Sequence, residues 1–201
     1  MGTSFAPVRR IFVGSGGTCT QGCGVIFTLT NSGGNWTETV LHDFAGRTDG
    51  GNSYAGLTLD SAGNLYGTTS GGGKSGDGTA FKLASSTFTV IHDFHLTSGA
   101  TPNGGMVFDS AGNLYGTTFL GGYTAEVCNS DVPLPGCGLV FKLTPGSTGG
   151  WTYNVVKTFK GLPGGRPYAG LTLDGSGNIY GTTTGYATNN INFGTVFKIT
   201  P

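Results

Sequence analysis

Short alternating runs of apolar and polar residues, separated by glycine, asparagine and aspartate, recur along this chain in fixed order. A period of two places every second side chain on one face of a strand, and the intervening residues are turn formers, so the pattern predicts many short strands joined by tight turns. One stretch anchors the rest. Residues 54–69 read Y-A-G-L-T-L-D-S-A-G-N-L-Y-G-T-T, and residues 168–183 read Y-A-G-L-T-L-D-G-S-G-N-I-Y-G-T-T. A looser copy occupies residues 103–118. The anchor aspartates Asp60, Asp109 and Asp174 lie 49 and 65 residues apart, a spacing that suits an array of small sheet units.

Aligning the copies predicts four strands per unit. The first covers 55–59, 104–108 and 169–173. A D-x-x-G-N turn follows, where the aspartate can accept bonds from nearby amides and the glycine can take a positive φ. The second strand covers 64–69, 113–118 and 178–183. After a variable Gly-rich loop comes the third (79–83, 138–143 and 195–199, with 24–29 as an earlier copy), and then the fourth (36–44, 88–94 and 151–159). Residues 11–14 read as a worn second strand, 4–8 as a diverged first strand, and the total is fourteen or fifteen. The expected fold is all-β: a β-propeller of about four four-stranded antiparallel blades, as a closed or an open ring, in one domain with units near 1–44, 45–94, 95–159 and 160–201. The competing β-solenoid repeats at about 20–30 residues, too short for these spacings.

The pattern G-L-T-L-D-x-x-G-N-L-Y-G-T-T, a Gly-rich gap, G-T-x-F-K-L and W-T-x-x-V-L-H-D-F resembles the GloVer tandem repeat of bacterial surface and secreted proteins. It runs over nearly the whole chain. The resemblance implies a repeat scaffold with varied means of surface attachment; it implies no reaction. The worn first copy departs from it in lacking the Asp and Asn of the turn.

Composition narrows the partners. Only 10% of residues are charged, ten basic against ten acidic, where an ordinary soluble domain carries about 25%. With no basic run beyond Arg9-Arg10, neither nucleic acid nor an anionic membrane surface is an expected partner. No apolar run approaches the roughly 20 residues of a membrane span. The 40 glycines punctuate strands at repeat positions and do not form a low-complexity tract. Four cysteines fall in two Gly-rich loops, Cys19 with Cys23 and Cys128 with Cys137. Two local disulfides fit this even count, and zinc is the rival reading, with spacings unlike common zinc motifs. The expectation is an extracellular or cell-surface protein whose leader is not part of this sequence.

Candidate chemistry lies in the variable loops, where a repetitive scaffold usually carries function. Asp60, Asp109 and Asp174 read as turn caps, and His42 and His92 as strand residues. Setting the repeat aside leaves Arg47, Tyr123, Arg166, Tyr186, Asn189 and Asn190 as ligand-binding candidates. The leading expectation is a neutral glycan, held by hydrogen bonding and ring stacking, with the cysteine pairs stiffening the binding surface. A polysaccharide hydrolase is the second reading. It would need two carboxyls about 5 Å or about 6.5–9.5 Å apart, for which Asp49, Glu126 and Asp131 are the candidates; a lyase would instead use Tyr123 or His95 with Arg166. Self-assembly through unpaired edge strands is the third. No cofactor is expected, and residues 49–52 (D-G-G-N) read as a turn before a calcium loop. Residues 70–75 (S-G-G-G-K-S) lack phosphate-loop spacing.

Overall fold

The computed structural model describes residues 22–122, 136–161, 164–185 and 194–200. These carry thirteen strands and one turn of 3-10 helix, Leu96–Ser98. Strands β3 (Thr58–Leu59), β4 (Leu65–Thr69), β5 (Thr79–Ala84) and β6 (Thr87–Asp93) form one antiparallel meander. Strands β7 (Val107–Phe108), β8 (Leu114–Thr118), β9 (Leu139–Pro145) and β10 (Trp151–Thr158) repeat it. A two-stranded sheet, β1 (Val25–Ser32) with β2 (Asn35–Asp43), precedes them. A three-stranded sheet, β11 (Thr172–Leu173), β12 (Ile179–Thr183) and β13 (Thr195–Ile199), comes after. The fold is propeller-like: successive blades, each paired in sequence order, with the hydrophobic core lying between blades.

That core is divided in the same way. Cys23, Ile26 and Phe44 of the first sheet pack with Phe81 and Leu83 of the second. Tyr66, Ala80 and Phe94 of the second pack with Met106, Leu114, Phe141 and Leu143 of the third. Tyr115, Val140 and Phe159 of the third pack with Leu171 and Ile179 of the fourth. Each sheet therefore has a forward face and a backward face, and alternation along the strand assigns side chains to one or the other.

The L-Y-G-T-T motif has a steric reason. A Cβ at Gly116 would lie 2.5 Å from Phe141 Cζ, so the glycine is the notch that admits the third-strand phenylalanine. The H-D-F motif has another. The fourth strands carry one extra residue, at Leu41, Ile91 and Val156, opposite the third strand. Such a bulge re-aims the side chains beyond it. The phenylalanines then meet the next blade edge-on, Phe44 on Phe81 at 5.4 Å, Phe94 on Phe141 at 5.1 Å and Phe159 on Phe197 at 5.1 Å. Ahead of them, His42 stacks on Phe88 at 3.8 Å and His92 on Tyr153 at 4.0 Å. The histidines are thus rungs of an aromatic ladder between outer strands.

Of the fourteen or fifteen strands expected, thirteen fall among the described residues, and residues 4–8 and 11–14 lie outside them. One expectation needs correction. The first strands pair over two residues each, not five. Their remaining backbone groups serve the neighbouring blade: Thr68 Oγ1 donates to the Gly104 carbonyl at 3.1 Å, Thr117 Oγ1 to that of Ala169 at 3.0 Å, and Thr58 Oγ1 to that of Met106.

His92 makes the array acid-sensitive. Its Nε2 is buried without a hydrogen-bond partner, and burial, with a smaller push from His95, lowers its pKa to about 4 against the opposing pull of Asp93. Between the unfolded pKa near 6.5 and 4, the unfolded chain binds a proton that the native one refuses, so stability falls as pH falls through that window. With allowance for the ring's partial exposure, the expected loss is about 1–2 kcal/mol. Urea midpoints at pH 7 and 4.5 would measure it. In His92→Phe, which keeps the stacking, that part of the difference disappears; an unchanged pH difference would refute the assignment.

Candidate ligand-binding face

The variable loops and the blade-to-blade connections are built into one belt. Asn52 donates its N–H to the Cys23 carbonyl of the preceding blade at 2.8 Å, and its own carbonyl accepts from Ser70 of the following blade at 3.2 Å. Thr101 bridges Asp77 and Phe119 in the same way, at 2.8 and 3.1 Å. Arg166 bridges Cys137 and Thr184, at 2.6 and 3.1 Å. All three adopt positive φ, 58°, 56° and 56°, a conformation uncommon outside glycine and worth a structural reason. Here the reason is the bridge: it lets one residue face two blades at once.

Arg166, a candidate from sequence, is therefore first a positioning residue of the belt. Its guanidinium also lies over the Phe119 ring, 5.8 Å from the centroid. Phe119 in turn meets Tyr168 edge-on at 5.7 Å. Tyr168 is 49% exposed, so this Arg-Phe-Tyr cluster between the third and fourth blades ends in an aromatic ring open to solvent. Tyr54, at the matching place in the second blade, is 68% exposed, whereas the third blade has a buried Asn103 there.

Asp49 has a local task. Its Oδ2 accepts from the Ala45 N–H at 2.9 Å and sits 3.2 Å from His42 Nε2, holding the connection after β2. Its partner among the described residues is a histidine and not a second carboxylate. Arg47 is exposed, and its carbonyl accepts from Gly73 at 2.5 Å, tying the same connection to the loop before β5. Tyr123, Glu126, Asp131, Tyr186, Asn189 and Asn190 lie outside the described residues, as do Cys19 and Cys128. Neither Cys23 nor Cys137 is a free thiol. Both are buried in the clusters between blades, so they occupy core positions and do not merely stiffen a surface. Their counterpart in the second blade is Asp77, whose carboxyl is pushed up by burial, against a bond from the Leu96 N–H and the nearby His95. Among the described residues no three His, Cys, Asp or Glu side chains cluster as a metal site would need, and no helix is long and apolar enough to cross a membrane.

The repeated residues form separate networks at the D-x-x-G-N turns. Asp109 accepts from the Ala111 and Asn113 N–H groups at 2.9 and 2.8 Å, from Asn113 Nδ2 at 2.7 Å and from Tyr115 Oη at 3.2 Å. Asp60 and Asp174 repeat the set. The Asn178 amide foremost, against a smaller effect of burial, brings Asp174 down to about 2. Burial first, then the Asp60 carboxylate, pushes Tyr66 up to about 12. Lys82, Lys142 and Lys198 lie over the three tyrosine rings at 5.5–5.6 Å, so these lysines cover aromatic faces as well as meeting solvent. Every aspartate here is committed to its turn.

A sequence model of the Gloeobacter/Verrucomicrobia repeat matches residues 12–128. The chain belongs to this repeat family. The GloVer match spans the stretch in which the repeated Asp turn, the G-T-T notch strand and the H-D-F bulge are first assembled. No curated protein matches the GloVer chain. Its functional reading therefore rests on the belt face. Sequence reasoning passed over Phe119, Tyr54 and Tyr168, although one signal was present: the looser copy puts Asn103 where the other two have tyrosine.

Proposed function

We propose that this GloVer protein is a non-catalytic binding module of the extracellular or cell-surface space, taking a neutral glycan on its belt face. The supporting observation is the Arg166–Phe119–Tyr168 cluster, which fixes one aromatic ring at the surface through a second ring and the guanidinium that covers it. A rigid, half-exposed tyrosine suits stacking on the apolar face of a sugar ring while its hydroxyl stays wet. The scarcity of charge fits a neutral ligand better than an ionic one. In the same reading, Cys19 pairs with Cys23 and Cys128 with Cys137, as an oxidising compartment permits.

Calorimetry against β-glucans, xylans, mannans and galactans tests the proposal. At least one is expected to bind, with affinity reduced about tenfold or more in Tyr168→Ala and the circular dichroism spectrum unchanged. A folded protein that gives no heat with any of the panel, or a Tyr168→Ala variant that binds equally well, would sink the reading.

A further inference from the structure

In three successive blades the segments that lead into the first strands meet backbone to backbone. A Cβ at Gly105 would lie 3.2 Å from the Gly56 carbonyl oxygen, and one at Gly170 would lie 3.2 Å from the Gly105 carbonyl oxygen. At Gly104 a Cβ would overlap Ala169, 2.6 Å from its carbonyl oxygen. Glycine marks such places because only it lets another backbone come so near. The hydroxyls of Thr68 and Thr117 fix the arrangement by donating to the Gly104 and Ala169 carbonyls, at 3.1 and 3.0 Å. Residues 103–105 of the third blade are therefore held between residues 54–56 of the second and 168–170 of the fourth. At the head of these segments Tyr54, Asn103 and Tyr168 are neighbours, each two residues beyond a belt bridge at Asn52, Thr101 or Arg166.

The outer two of the three are rings open to solvent, Tyr54 at 68% and Tyr168 at 49% exposure, and the middle one is an asparagine at 8%. Asparagine is the shorter side chain, so the middle position is a recess with a tyrosine on either side. The fold makes no use of its amide: among the described residues the Asn103 side chain has no hydrogen-bond partner. Asn113, equally buried, gives its amide to Asp109 at 2.7 Å. Enclosed polar groups are ordinarily paired, and an exception calls for a reason. Residues 53–56, 102–105 and 167–170 contain no charged side chain.

From this juxtaposition we infer that Tyr54, Asn103 and Tyr168 form one binding site across three blades, and that its ligand is a run of at least three units of a neutral glycan. The outer units stack on the two tyrosines, and the middle unit places its hydroxyls on the Asn103 amide in the recess. The inference rests on the glycan reading of the belt face and adds to it two residues and a chain length. A carboxamide carries donors and an acceptor side by side, which matches the adjacent hydroxyls of a sugar ring. Tyrosine rings match the apolar face of the same unit. A charged ligand would find no counter-charge on these segments. The site reads length because a single sugar engages one tyrosine only, whereas a trisaccharide reaches both and the amide between them.

Calorimetry on the full chain with glucan, xylan, mannan and galactan oligosaccharides of one to six units is the test. In the series that binds, affinity is expected to rise at least about tenfold from one unit to three and little thereafter. Tyr54→Ala should cancel most of that rise, and Asn103→Ala should weaken the trisaccharide at least about fivefold. Tyr54 is a surface side chain, so its truncation tests the site without disturbing the core, and circular dichroism of both variants excludes unfolding as the cause. A trisaccharide that depends on Tyr168 but binds Tyr54→Ala and Asn103→Ala like the parent would overturn the three-residue site and leave the glycan reading standing. A single sugar bound as tightly as the trisaccharide would do the same. No heat from any oligosaccharide or polymer would overturn both.

Discussion

Phe141→Ala is expected to remove about 3–5 kcal/mol of stability, the range for deleting a fully buried phenylalanine, and to be the most damaging apolar truncation in the third blade. Phe141 is completely buried. It lies against Phe94 of the preceding blade at 5.1 Å and Tyr153 of its own at 5.9 Å, with its ring tip in the notch at Gly116. Truncation leaves a cavity walled by two blades, and neither can collapse without giving up its own ladder. The same change at Phe197 makes the comparison decisive. That ring fills the equivalent notch at Gly181 and meets Phe159 at 5.1 Å, yet it is half-buried because its sheet has three strands. There the expected loss is about 1–2 kcal/mol, since partly exposed apolar surface contributes in proportion to the area removed from water. Urea unfolding of both variants against the parent measures the pair. Equal losses would mean that stability resides within each sheet, and the picture of a core lying between blades would fail.

The repeat, the Asp60, Asp109 and Asp174 turns and the order of strands follow from local rules: alternation, turn chemistry and one aspartate bonding its own amides. Those rules act within a dozen residues, so they survive without a structure. The short first strands did not follow, because residues 104 and 169 spend their carbonyls on threonines of the preceding blade, and nothing local distinguishes that from a ladder. The bridging residues Asn52, Thr101 and Arg166 share a backbone conformation and two hydrogen bonds but no side-chain chemistry. An alignment by residue type therefore sees only loops of unequal length. Their one common mark is two residues upstream, the glycines Gly50, Gly99 and Gly164. In the sequence Arg166 stands out only as a polar residue outside the repeat, whereas its place in the belt is explained by its backbone.

The belt itself predicts the second large effect. Gly138→Ala should cost about 3–5 kcal/mol, of which about 1–2 is the penalty for a side chain at positive φ and the rest is steric overlap that the surroundings cannot relieve. Gly138 sits at φ 80° at the entrance to β9. A Cβ there would overlap the Thr118 carbonyl oxygen and lie 2.8 Å from both the Phe119 carbonyl oxygen and Pro167 Cδ. These are backbone and proline-ring atoms at the junction of the third and fourth blades, so relief means moving the Arg166 bridge. Gly112 supplies the control. It has the same backbone sign, φ 82°, in the Asp109 turn, but a Cβ there would meet nothing within 4 Å. Gly112→Ala should thus show the conformational penalty alone, about 1–2 kcal/mol. The difference between the two variants, read as a shift in urea midpoint, isolates the close approach of the blades. If Gly138→Ala folds with the stability of Gly112→Ala, the belt is pliable. Tyr168, two residues beyond Arg166, would then lose the rigidity that makes it a credible stacking platform.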